Sequence, residues 1–155
     1  MQVREIMTTD VNTVRRDAPV NEIAKLMHER DISGIPVVDE SNHVIGIITE
    51  LDMIVRNTRL ELPAFIQVLD LARIPLESPG RYRDRLRHML GAHASDIMTK
   101  QVVTIGPDAE VEDLAELMVK RRLNPVPVVE NGVLVGIVSR ADLIRMMARE
   151  LESEA

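Results

Sequence analysis

A chain of 155 residues, 45% apolar and 28% charged, is long enough to bury roughly two-thirds of its unfolded surface around an aliphatic core, so neither disorder nor a metal or disulfide staple is required. One Tyr, one Phe and no Trp leave almost nothing on which to stack a run of bases, and a formal charge of −6 opposes the polyanion attraction behind non-specific nucleic-acid binding. Zero cysteines exclude thiol catalysis and disulfides; no apolar run reaches membrane-spanning length, and Met1-Gln2-Val3-Arg4-Glu5 has no signal pattern, so the expected location is the cytosol, with no membrane partner.

In chain order, one unit is read twice. Residues 6–38 match 97–129 at an offset of 91, and 41–54 match 131–144 at an offset of 90. Ile6-Met7-Thr8 recurs as Ile97-Met98-Thr99, and Pro36-Val37-Val38 as Pro127-Val128-Val129. The first unit starts with an extended stretch, Val11 to Val14, and reaches Asp17, a helix N-cap candidate. Val20, Ile23, Ala24 and Met27 then fall at i, i+3, i+4 and i+7, which predicts an amphipathic helix. Ile35 to Val38 and Val44 to Ile48 flank the turn-forming Asp39-Glu40-Ser41-Asn42 and predict a hairpin, with a closing helix from about Leu51.

Residues 61–94 are too many for a structureless loop, so they are expected to carry helices of their own. Pro63 opens one with Phe65, Ile66, Leu69 and Ala72; Leu86, Met89 and Leu90 line a second that stops at Gly91. Arg81, Arg83, Arg85 and Arg87 form the most basic patch, read as a solvated helix face, with docking of a phosphate or an acidic partner as the alternative.

The second unit repeats the first: Val102 to Ile105 extended, Asp108 as N-cap candidate, and Val111, Leu114, Ala115 and Met118 on one helix face. A hairpin of Val126 to Val129 and Val133 to Val138 turns at Asn131-Gly132, with a closing helix from about Ala141. The layout is a first repeat at 1–60, a helical linker at 61–94 and a second repeat at 95–155. A lone unit of roughly 50 residues leaves a sheet face uncovered. The expected architecture is therefore a mixed α/β fold, two βαββα repeats packed sheet to sheet about a pseudo-two-fold axis with a binding cleft between them.

Each hairpin ends in the same spacing, Gly46-Ile47-Ile48-Thr49-Glu50-Leu51-Asp52 and Gly136-Ile137-Val138-Ser139-Arg140-Ala141-Asp142. A hydroxyl residue followed three positions later by an acid is a capping box. It also sits where a strand delivers the chain to a helix N-terminus, where the hydroxyl can bind phosphate and the Asp two ribose hydroxyls; capping and binding are compatible. Gly46 and Gly136, inside strands, signal a bulge or a close backbone approach.

Duplicated, these endings, the Glu5-Ile6-Met7-Thr8 and Asp96-Ile97-Met98-Thr99 openings, and Gly34-Ile35-Pro36-Val37-Val38 resemble the CBS domain family, specifically the tandem pair called a Bateman module. The resemblance implies a non-catalytic sensor of AMP, ADP, ATP or another adenosyl ligand such as S-adenosylmethionine. It also implies a homodimer that regulates an unidentified protein. By position, it places Thr49 and Asp52 on phosphate and ribose in one site, with Ile32, Ser33 and Gly34 around adenine. Ser139, Asp142, Leu123, Asn124 and Pro125 would do the same in the other. Thr8 with Asn12, and Thr99 with Val103, match positions whose backbone approaches the base. Glu50 against Arg140 makes the sites unequal, so phosphate is expected to prefer the Arg140 site. Pro125 stands where the first repeat has Gly34 and lacks a backbone donor.

His28, His43, His88 and His93 show no metal-ligand spacing; magnesium would arrive only with ATP, whose phosphates supply much of its coordination. Met27 and Met118 are expected in the core, and Met146-Met147 against a second subunit. No nucleophile with a base, P-loop or dinucleotide fingerprint is present, so no enzyme is expected. The alternative is a structural dimerisation module with vestigial sites; nucleic-acid contact through Arg81 to Arg87 ranks last.

Overall fold

A computed structural model describes residues 1–57 and 91–155. The helices expected after Pro63 and before Gly91, and the Arg81 to Arg87 patch, lie outside the described residues. Each repeat carries the expected helix, hairpin and closing helix, while the leading stretches Val11 to Val14 and Val102 to Ile105 form single bridges in place of a first strand. The first has α1 (Val20–Glu29), β1 (Gly34–Val38), β2 (Val44–Thr49) and α2 (Glu50–Asn57). The second follows a short α3 (Ala94–Ile97) with α4 (Val111–Arg121), β3 (Val126–Glu130), β4 (Val133–Val138) and α5 (Arg140–Ser153). No described helix is long and apolar enough to cross a membrane.

The apolar stripes bury as their spacing requires. Val20, Ile23 and Met27 of α1, with Ile35, Val37 and Ile48 of the hairpin, form one core; Val111, Leu114, Met118, Val126, Val128 and Val138 form the other. Each fully buried aliphatic side chain contributes about 1.5–3 kcal/mol. Both hairpins are antiparallel, with a register shift opposite Gly46 and another opposite Gly136. Asn131 and Gly132 both have positive φ, 52° and 81°, the conformation a two-residue hairpin turn demands. In the longer first turn the Asp39 carboxylate accepts the His43 and Ser41 N–H groups, and these bonds hold its pKa below the ordinary value. Val14 and Ile105 extend the hairpins as short parallel bridges to Val37 and Val128.

The leading segments change partners. Val3, in a single 3-10 turn at Val3–Glu5, is fully buried in the core of the second repeat, while Ala94 and Ile97 of α3 are buried in the core of the first. Backbone bonds fix the exchange. The Val3 and Val111 N–H groups donate to Ala109 and Met1 carbonyls at 2.9 Å each, and Ala94 and Val20 donate to Ala18 and Ala92 at 2.8 and 2.9 Å. Thr8 pairs with Ile137 and Thr99 with Ile47, each through two bonds of 2.9–3.0 Å.

That exchange displaces the expected N-caps. Helix α1 is capped at Pro19 and α4 at Glu110, not at Asp17 or Asp108. Residues 18–20 and 109–111 are occupied in pairing with the other repeat's leading segment, and Ala18 precedes a proline, which disfavours helical geometry. Asp108 instead pairs with Arg4.

Residues that touch their own repeat equivalents mark the pseudo-two-fold axis. Asn124 Nδ2 donates to Ser33 Oγ at 3.2 Å, and Pro125 lies so close to Gly34 that a Cβ there would meet its ring at 2.5 Å. At the hairpin tips His43 bridges Val133.

Candidate functional site

Strand β2 delivers Thr49 to the start of α2, and β4 delivers Ser139 to the start of α5. The capping box forms at both. Asp52 Oδ2 accepts the Thr49 N–H at 2.9 Å and its hydroxyl at 3.1 Å; Asp142 Oδ2 accepts the Ser139 N–H at 2.7 Å and its hydroxyl at 2.9 Å. One oxygen of each carboxylate is thus structural. The other oxygens differ: Asp52 Oδ1 accepts the Thr99 hydroxyl at 3.1 Å, whereas Asp142 Oδ1 accepts the Arg145 guanidinium at 2.8 Å. Asp142 is the buried charged residue of the described core, at 7% exposure.

Two clefts flank the axis. The first, about 490 Å³, brings Thr8, Asn12, Ile32 and Ser33 of the first repeat against Ser139 and Asp142 of the second. The second, about 260 Å³, brings Thr99, Val103 and Leu123 against Thr49 and Asp52. This corrects the grouping expected from sequence, which joined Thr49 and Asp52 to Ile32, Ser33 and Gly34, and Ser139 and Asp142 to Leu123. Because the leading segments cross, each hydroxyl–Asp motif faces the leading segment and loop of the other repeat.

Asn124, Pro125 and Ser33 line both clefts from the axis, and Gly34 lines the first. Pro125 therefore packs on Gly34 between the clefts and is not confined to the second. Glu50 and Arg140 also reach both clefts, so their contrast does not separate one from the other. What separates them lies elsewhere. Asp10 and Asp31 line the first cleft where the aligned Gln101 and Arg122 line the second. Arg145 is present in the first only.

Asp10, Asp31, Arg122 and Arg145 were not singled out by sequence. Asp31 and Arg122 hold aligned positions just past α1 and α4, and the structure gives both a left-handed φ, 50° and 53°, a backbone state uncommon outside glycine that the sequence did not signal. Among the described residues no group of three or more His, Asp or Glu side chains is placed to hold a metal ion. The clefts offer instead aliphatic walls for a flat ring, from Val11, Ile32 and Ile137 in the first, and hydroxyl and carboxylate groups for a sugar.

The CBS domain model matches residues 3–56 and 94–149, more than half of the chain. The chain belongs to the CBS domain family. Both matched CBS segments start in the leading stretch and end in the closing helix, so the family unit includes the part that crosses over. Protein MJ1426 of Methanocaldococcus jannaschii is 32% identical over 157 residues, covering 95% of this chain and 91% of that protein. Some relatives are longer, and this chain spans 43% and 62% of two of them. The CBS domain of a CBS domain containing membrane protein from Sphaerobacter thermophilus aligns at a TM-score of 0.66 and 35% identity, over 94% of this chain and 86% of that one. The CBS domain pair of protein MJ0100, solved with 5′-methylthioadenosine and S-adenosylmethionine, aligns at 0.67 and 25%, over 95% and 99%.

Proposed function

We propose that this chain is a regulatory, non-catalytic module that binds an adenosine-containing ligand, an adenine nucleotide or another adenosyl compound, between its CBS repeats and so alters the surface it presents to a partner protein. The observation that carries this reading is the convergence of Ser139 and Asp142 with Thr8, Ile32 and Ser33 from the opposite repeat in a cleft of about 490 Å³, the size of a small-molecule site. Likeness to a CBS pair solved with two adenosyl ligands supports the class. In this reading Asp142 in the first cleft and Asp52 in the second hold the ribose, Thr8 with Asn12 and Thr99 with Val103 border the base, and residues 61–94 connect the repeats.

The module is read as a homodimer. Leu51 and Ile54 of α2 and Ile144, Met147 and Leu151 of α5 are large apolar side chains 48–70% exposed, at helical spacing on the two closing helices.

A thermal-shift and calorimetric titration with AMP, ATP, S-adenosylmethionine and 5′-methylthioadenosine tests the ligand reading. At a hundred times Kd a ligand specific for the folded state adds about 2.7 kcal/mol of stability. Asp142→Asn is expected to weaken binding tenfold or more while the protein stays folded. If none of the four binds, the sensor reading fails and a purely structural dimerisation module takes its place.

A further inference from the structure

The first cleft carries more negative than positive charge. Its walls present Asp10, Asp31, Glu50 and Asp142 against Arg140 and Arg145. Arg145 is already spent on Asp142, at 2.8 Å. That leaves three carboxylates facing one guanidinium, none of the four in a hydrogen bond or ion pair through its side chain with another described residue. Two of the N–H groups that a helix start would offer to phosphate are also engaged, Ser139 donating to Asp142 and Arg140 to Asn124 Oδ1 at 3.0 Å, which leaves the Ala141 N–H of the first turn.

Beyond Thr8, Asp142 and Arg145 the cleft adjoins a second chamber of about 490 Å³. Ile6, Met7 and Met146 give it an apolar side, and Glu5, Arg149 and Glu150 a side with both signs of charge. A chain of phosphates meets there a single uncommitted guanidinium, Arg149, with Glu5 and Glu150 beside it, since Arg145 and the Met1 ammonium are held by Asp142 and Glu110. A thioether with a short aliphatic tail meets the apolar side, and an amino-acid end meets Arg149 for its carboxylate and Glu150 for its ammonium.

Resting on the adenosyl-binding reading above, we propose that the first cleft selects adenosyl ligands whose 5′ substituent is an uncharged thioether or a cationic sulfonium and discriminates against those carrying phosphate. The discrimination is built by repulsion as much as by attraction, through carboxylates that a polyphosphate leaves unpaired. The second cleft is the internal contrast. With Gln101 for Asp10 and Arg122 for Asp31, its Glu50 and Asp52 are balanced by Arg122 and Arg140.

Isothermal titration of the full chain carrying Asp52→Asn, which removes the ribose carboxylate of the second cleft and leaves the first as the site read, with 5′-methylthioadenosine, S-adenosylmethionine, AMP and ATP at low ionic strength decides it. The two sulfur ligands are expected to bind at least tenfold tighter than ATP, with the gap narrowing as salt shortens the Debye length from about 10 Å at 0.1 M to about 3 Å at 1 M. In the double variant Asp10→Asn, Asp31→Asn the ratio of ATP to 5′-methylthioadenosine affinity rises threefold or more. Arg149→Ala weakens S-adenosylmethionine at least fivefold more than 5′-methylthioadenosine. Nucleotides binding as tightly as the sulfur ligands, or an unchanged ratio in the double variant, would overturn the proposal while leaving the adenosyl-binding reading intact. Failure of all four ligands would overturn both.

Discussion

Gly136 and Met7 are 129 positions apart in sequence order but share one volume. A Cβ built on Gly136 would lie 2.5 Å from Met7 Sδ, 2.9 Å from its Cγ and 3.2 Å from its Cβ; on Gly46 it would lie 2.8 Å from Met98 Cγ and 3.0 Å from its Cβ. Crowding reaches the stem of each methionine, so turning the flexible end away gives no relief. Gly136→Ala is expected to cost about 1–3 kcal/mol, measured by urea denaturation, and pairing it with Met7→Ala should recover a good part. Additive losses in the double variant would show that the two residues do not compete for that space. The sequence allowed a bulge or a close backbone approach at these glycines; the register shift is present, and the close neighbour is a methionine side chain. The identity of the approaching atom was not legible, because Met7 and Met98 come from the opposite repeat.

At the scale of elements, two hairpins, two amphipathic helices and two closing helices lie within a residue or two of where periodicity put them, because each is decided by local alternation or a 3.6-residue stripe. Periodicity says nothing of which sheet a short segment joins. The leading stretches are too short for a period, and their partners lie far away in sequence, from 52 residues for Thr99 and Ile47 to 129 for Thr8 and Ile137. That one unread fact accounts for the misplaced N-caps and for the crossed grouping of the cleft residues. It also yields a test. Val3→Ala removes two buried methyl groups and should cost about 2–3 kcal/mol. By hydrogen exchange the lost protection should appear in α4, β3 and β4, not in α1 and β1. Loss confined to the first repeat would refute the exchange of leading segments.

For the whole molecule, the exposed apolar residues of α2 and α5 bear on assembly. Ile144→Glu with Leu151→Glu places two charges on the α5 face, at positions 65% and 70% exposed, where a monomer would tolerate them. Sedimentation velocity should show the unmodified chain as a dimer and the variant as a monomer with its melting temperature little changed; an unmodified chain already monomeric would remove the dimer reading. The clefts belong to this scale too, since each is walled by both repeats and neither exists within one. The crossing of leading segments has a genealogical consequence. A one-repeat ancestor with the same opening residues would leave the berth of Val3 or Ala94 vacant unless another copy filled it. Such a chain could complete its core only by trading arms with an identical chain. Fusion of two copies then converts a concentration-dependent pairing into a permanent one, and frees the two halves to diverge in charge while their interlock stays the same.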